Sequence, residues 1–124
     1  MGCDNLDIDK DFIMPNFNQV ILMGNLTRDP NLSYTTNKTP VTEFGLAVNR
    51  KFKKADETTG EEKLFIECRC FGKRAETISK YFSKGNPIFV LGRLRFETWD
   101  QAGEMHSKIL LIVESFEFIG KKPE

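Results

Sequence analysis

A small, mainly β barrel with one helix is the fold that the 124 residues predict. Three observations lead there. From Asn18 onward apolar and polar residues alternate with the two-residue period of half-buried strands. The period turns helical once, over 73–82. Clusters of Gly, Pro, Asn and Asp separate the runs. The length suits one domain with one modest core and leaves no room for a separate cofactor domain. A hydrophobic share of 40% is too high for a disordered chain. No apolar run approaches the ~18 residues of a membrane span.

The elements follow in order. Gln19–Leu26 (QVILMGNL) is a nearly continuous apolar run, stopped by the turn Arg28-Asp29-Pro30. Leu32–Thr35 is short and extended, and Asn37–Pro40 is a turn. Val41–Arg50 alternates, with Phe44, Leu46 and Val48 on one face. Lys51–Glu62 (KFKKADETTGEE) reads as a polar loop projecting from the body. Lys63–Phe71 alternates again: Leu64, Ile66, Cys68 and Cys70 point inward, and Phe65, Glu67, Arg69 and Phe71 outward. Ala75, Ile78 and Phe82 have helical spacing, so Lys73–Phe82 is the helix and Gly85 its stop signal. Pro87–Trp99 returns to strand. Ile88, Val90, Gly92 and Leu94 share one face; Phe89, Leu91, Arg93 and Arg95 share the other. Asp100–Gly103 is a turn and Met105–Phe116 the last strand. One helix between the third and fourth of five strands is the order of an OB-fold, a five-stranded Greek-key barrel that binds oligonucleotides on an exposed face.

The barrel is assigned to residues 17–120, with 121–124 as a short end. Residues 1–16 read as a disordered acidic arm. The arm lacks the basic start and apolar stretch of a signal peptide, and Leu6 stands where a myristoylation pattern needs Ser or Thr. Met14 is an alternative start.

Composition narrows the chemistry further. Three cysteines make no disulfide framework, and Cys68 and Cys70 read as small buried apolar side chains. The Cys-x-Cys pair has no further ligands for zinc, and His106, the single histidine, has no nucleophile pattern around it. No metal, cofactor or catalytic residue is expected, and a reducing, cytoplasmic setting fits. A formal net charge of +0 argues against a nucleic-acid partner, where a basic surplus is usual. That zero is a sum of unlike parts. Residues 1–16 hold Asp4, Asp7, Asp9 and Asp11 against Lys10, a net of −3. This leaves 17 basic and 14 acidic side chains, a net of +3, in residues 17–124.

The informative residues are aromatics that the alternation places outside the barrel. Phe65 and Phe71 share the outward face of the third strand; burying them would need a one-residue slip that exposes Leu64, Ile66 and both cysteines. Phe52 stands in the polar loop beside Lys51, Lys53 and Lys54, and Trp99 ends the fourth strand after Arg93 and Arg95. Aromatics spaced along a groove and interleaved with positive charge suit single-stranded nucleic acid. Each ring stacks on a base whatever its identity, for ~1–3 kcal/mol, while Lys and Arg follow the phosphates. Phe52, Phe65, Phe71 and Trp99 are the candidate stacking residues. Lys51, Lys53, Lys54, Arg69, Lys73, Lys84, Arg93 and Arg95 are the candidate phosphate contacts. The competing account of outward aromatics is a subunit interface.

From Asn18 the chain resembles the bacterial single-stranded DNA-binding proteins. The likeness runs through NQVILMGNLTRDPNLSY, FGLAVNRKF and FIECRCFGKRAETISKYFSKGNPIFVLGRLRFETW to about Ile119. Its specific marks are Phe-Gly-Lys-x-Ala-Glu at Phe71–Glu76 and the turn Lys84-Gly85. The resemblance implies base stacking at Phe52, Phe65, Phe71 and Trp99, where the family more often has tryptophan. It implies phosphate contacts at Lys73, Lys84 and Arg95. Two further family cation positions fall on Glu67 and Glu97, a departure that implies weaker binding there. It also implies a homotetramer, with Val20–Met23, Phe89 and Leu91 suited to the interfaces. Service in replication, recombination and repair is implied as well. The family's linker and acidic, phenylalanine-tipped tail have no counterpart in Gly120-Lys-Lys-Pro-Glu124, so partner recruitment by that route is not expected.

The alternatives are an OB-fold RNA binder, a replication-restart or plasmid accessory paralogue, a small nuclease and a purely structural assembly protein. A nuclease would need clustered carboxylates for a metal, and here the acids are scattered. With a surplus of only +3 in residues 17–124, few phosphate contacts and a shallow salt dependence are expected.

Overall fold

The computed structural model describes residues 15–120; the acidic arm, apart from Pro15 and Asn16, and the end at 121–124 lie outside the described residues. Six strands and one helix follow in chain order: β1 (Val20–Leu26), β2 (Asn31–Tyr34), β3 (Pro40–Lys53), β4 (Thr59–Phe71), α1 (Lys73–Tyr81), β5 (Pro87–Gln101) and β6 (Glu104–Phe118). The strand order is β1-β5-β6-β4-β3, and β3 returns to β1 through Asn25↔Ala47 and Leu26↔Leu46, which closes the barrel. The short β2 lies against the edge of β3 and is additional to the five predicted strands. β4 and β6 run parallel, from Glu67↔Leu110 to Cys70↔Val113. A parallel pair cannot be joined by a tight hairpin, and here the connection carries α1 and β5. One helix between the third and fourth barrel strands is the predicted OB-fold.

The core is built from the alternation. Phe44, Leu46, Cys68, Cys70, Ile88, Val90 and Leu111 turn inward and are fully buried, and α1 contributes Ala75 and Ile78 from below. Packing of this quality comes from apolar area removed from water, ~25 cal/mol per Å². A bulge then changes the parity of β6. Leu91 pairs with Ser115 but Gly92 pairs with Val113, so Glu114 is unmatched. One extra residue exchanges the faces of a strand. As a result Leu111 and Val113, and beyond the bulge Phe116 and Phe118, all reach the same core. Phe118 stacks on Phe82 with centroids 4.9 Å apart, and Phe116 meets Phe82 edge-on. Gly92 sits where the strands come closest: a Cβ there would stand 1.9 Å from the Ile112 carbonyl oxygen.

Two expectations need correction. Lys51–Glu62 is not a projecting loop. β3 and β4 continue as a paired ribbon out to Lys53↔Thr59, closed by a turn in which Asp56 accepts hydrogen bonds from the Thr58 amide and hydroxyl. Both faces of the ribbon meet solvent, so it needs no apolar alternation, and its backbone pairing simply extends the register of the barrel. The β5–β6 ribbon likewise runs on to Gln101↔Glu104, turning through Ala102 and Gly103 at positive φ as a two-residue hairpin requires. Leu94, expected inside, is 37% exposed, because β5 leaves the barrel beyond Gly92. Its backbone is nevertheless held, since the Asn18 amide donates to the Leu94 carbonyl and accepts from the Leu94 N–H.

Candidate nucleic-acid interface

Parity on β4 decides which rings stay outside. Cys68 and Cys70 are fully buried, so Phe65 and Phe71 must face solvent, and they are 65% and 39% exposed. Six residues of strand separate them by about 20 Å at ~3.3 Å per residue. The register continues this face across the sheet: Glu67 lies beside Leu110 and Arg69 beside Ile112, and these in turn face Arg95 and Arg93 on β5. Leu110 and Ile112 are buried although they point outward, because the long charged side chains on either side lie over them. Two and four residues beyond Arg95, the same face of β5 presents Glu97 and Trp99.

Trp99, 39% exposed, is paired across the ribbon with His106, whose ring stacks on the indole at 5.5 Å. The Lys108 Nζ lies 5.6 Å from the indole centroid, within reach of a cation–π attraction, and the indole N–H donates to Gln101 Oε1 at 3.4 Å. His106, Lys108 and Arg28 were not among the predicted site residues. The first two alternate correctly along β6, but only the β5–β6 register sets them beside Trp99.

Ion pairs occupy the middle of the face. Arg69 donates through Nε to Glu43 at 2.8 Å and through Nη1 and Nη2 to the two Glu97 oxygens at 2.6 and 3.4 Å. Arg95 approaches Glu97 at 3.7 Å, and Arg28 donates to Glu67 at 2.6 Å. The Arg69 hydrogen bonds pull the Glu97 carboxyl below its ordinary pKa against a smaller opposing desolvation, and Arg95 and Lys108 add weaker attraction. Arg93 pairs with Glu114 at the bulge, at 2.9 Å. All three predicted arginines are thus engaged with carboxylates.

The predicted lysines differ. Among the described residues Lys51, Lys53, Lys54, Lys73 and Lys84 make no ion pair, and all five are exposed. Lys73 opens α1 one residue beyond Gly72, whose φ of 84° turns the chain from β4 into the helix next to Phe71. Lys84 lies in the turn before β5, held where its own amide donates to Asp29 Oδ1 at 2.8 Å.

Phe52 stands apart from the other rings. It belongs to β3, opposite Gly60, on the face of the ribbon that carries Val48, Arg50, Glu62 and Leu64. Phe65 is on the other face. The Phe52 ring lies over Gly60 and under the Arg50 guanidinium at 5.4 Å. Beside it Val48, Arg50, Glu62, Lys63 and Leu64 line an open depression of about 400 Å³. The structure therefore brings three of the four predicted rings to one sheet face and sets the fourth around the edge of a ribbon. Among the described residues no group of three or more His, Cys, Asp or Glu side chains is placed to hold a metal ion.

A closed Greek-key barrel with exposed rings and basic side chains on one outer sheet defines a member of the OB-fold class. The comparisons with known proteins narrow this. The model of the single-strand binding protein family matches residues 17–119. The chain is 42% identical over 109 residues to the single-stranded DNA-binding protein of Helicobacter pylori, covering 87% of this chain and 61% of that one. It is 39% identical over 104 residues to that of Aquifex aeolicus, covering 84% and 71%. Among solved structures, a deletion mutant of the single-stranded DNA binding protein from Thermus aquaticus superposes with a TM-score of 0.74 at 30% identity, covering 84% of this chain and 51% of that one. A Plasmodium falciparum SSB in complex with ssDNA superposes at 0.79, covering 88% and 100%, and at 18% identity that likeness is one of fold. The chain belongs to the single-strand binding protein family. It spans 61% and 64% of the length of its Helicobacter relatives.

Proposed function

We propose that this chain binds single-stranded DNA without sequence preference. Bases stack on Phe65, Phe71 and Trp99, and Phe52 receives the strand where it passes around the β3–β4 ribbon. Lys51, Lys53, Lys54, Lys73 and Lys84 take the phosphates, with Arg69, Arg93 and Arg95 secondary because they already have carboxylate partners. The observation that carries this is the set of three large exposed rings on one face of an OB-fold sheet. Leaving such rings in water is costly unless a ligand covers them, and flat π faces fit unpaired bases. The work requires neither nucleophile nor metal. In the cell this is protection and organisation of exposed strands during replication, recombination and repair, in the cytoplasm at the nucleoid.

Assembly as a homotetramer belongs to the same reading. Ile21 and Met23 are 55% and 54% exposed on the outward face of β1, and the register sets them against Leu91 and Phe89, an apolar surface suited to a second copy. Titration with oligo(dT) at several salt concentrations tests the binding. The single tryptophan, Trp99, should be quenched on stacking, and binding should weaken as salt rises. Absence of both quenching and complex formation at low salt would refute the proposal. A parallel oligo(U) series decides between DNA and RNA, and tighter binding to oligo(U) would make RNA the ligand.

A further inference from the structure

The path between the rings crosses an electrostatically neutral strip. Glu43, Glu67 and Glu97 alternate there with Arg28, Arg69 and Arg95, joined by contacts of 2.6 to 3.7 Å. Exposed ion pairs add little to stability. These pairs lie where a polyanion has to pass, and they are well held: the Arg69 and Glu97 side chains are only 16% and 22% exposed, and two guanidinium nitrogens of Arg69 meet both Glu97 oxygens.

We propose that Glu67 and Glu97 limit the affinity of this face for single-stranded DNA by holding Arg28, Arg69 and Arg95 in ion pairs that a phosphate must displace. The proposal rests on the DNA-binding reading above. A phosphate reaching Arg69 competes with a preformed bidentate carboxylate, the strongest geometry available to a guanidinium. If it wins, it leaves the Glu97 carboxylate without its partner and beside a second anion. The three arginines therefore neutralise the strip without contributing fully to binding, and the unpaired lysines and the rings supply the affinity. Arg69 acts as a positioning residue here, because it fixes Glu97 and Glu43.

Charge-neutral replacement at the acids separates these roles. Glu97→Gln keeps the shape and one acceptor oxygen while freeing a positive charge on Arg69 and Arg95. It should tighten oligo(dT) binding about 3- to 10-fold at low salt. Every additional phosphate engaged should steepen the slope of log K against log salt by about 0.7. Glu67→Gln should do the same through Arg28, and the double variant should add the two effects. Glu117→Gln removes the same charge at the far end of β6, opposite Phe89, and should change the slope much less. Thermal melts establish that each variant is folded. Should Glu97→Gln fail to fold, Glu67→Gln decides, since its pair is more exposed. Folded acid variants with unchanged or weaker affinity and an unchanged slope would overturn the proposal. So would an equal gain from Glu117→Gln, which would make the effect one of net charge alone. If the wild-type chain itself does not bind oligo(dT), the DNA-binding reading falls instead.

Discussion

Replacing Phe65 by alanine separates stacking from folding. The ring is 65% exposed, so about one third of its surface is packed against the protein. A fully enclosed Phe buries roughly 150–250 Å², and a third of that, ~50–90 Å², is worth ~1–2 kcal/mol of folding stability at 25 cal/mol per Å². Loss of one base stack costs ~1–3 kcal/mol of binding, which weakens the dissociation constant about 5- to 150-fold. No charge is removed, so the plot of log K against log salt should move down parallel to itself. The assay is Trp99 fluorescence with oligo(dT) over a salt series, beside a urea melt of each protein. Trp99 is on β5 and Phe65 on β4, so the reporter remains intact. A folded Phe65→Ala protein with wild-type affinity would refute the stacking role. A loss of the oligomer with affinity per site unchanged would assign the ring to an interface.

Further expectations concern the fold and the assembly. Gly92→Ala should cost ~1–3 kcal/mol or more in a thermal or urea melt, because the new methyl meets the backbone of Ile112, which cannot swing aside as a side chain would. Burial pushes the Cys68 and Cys70 thiols up to about 12 and about 11. In a Cys3→Ser background neither should react with a disulfide reagent at pH 8 until the protein is unfolded. The protonated thiol is the form the fold favours. Its contribution is therefore complete below the ordinary thiol value of 9.0 and falls as pH rises toward 11 and 12, by ~1.4 kcal/mol per pH unit per thiol, as melts across that range should show. Met23→Glu places a charge on the exposed apolar surface of β1 and should lower the oligomeric mass by sedimentation while leaving Trp99 quenchable.

Much of the fold was legible because burial imposes a period. Cys68 and Cys70 had to be inside, which placed Phe65 and Phe71 outside, and the change to helical spacing at Ala75 and Ile78 placed α1 between the third and fourth barrel strands. Legibility ended where burial ended. The β3–β4 ribbon has solvent on both faces, so hydrogen bonding alone carries it, and polar residues such as Lys51 and Glu61 pair there without leaving an apolar signal. Leu94 alternates correctly but lies beyond the barrel wall, a position that depends on the bulge opposite Gly92.

The sequence by itself determined that a small aromatic-bearing barrel forms, which rings face outward on β4, and that the balanced charge hides a surplus in residues 17–124. Tertiary structure alone decided what those charges do. Arg69, Arg93 and Arg95 read from sequence as free cations, and Glu67 and Glu97 as acids where the family carries cations. Cross-strand register brings Arg69 to Glu97 across 28 positions and Arg28 to Glu67 across 39. The same register sets His106 and Lys108 beside Trp99, and strand parity turns Phe52 away from Phe65. A period read along one strand specifies a face, whereas an ion pair depends on distances between strands, and those exist only once the barrel has closed.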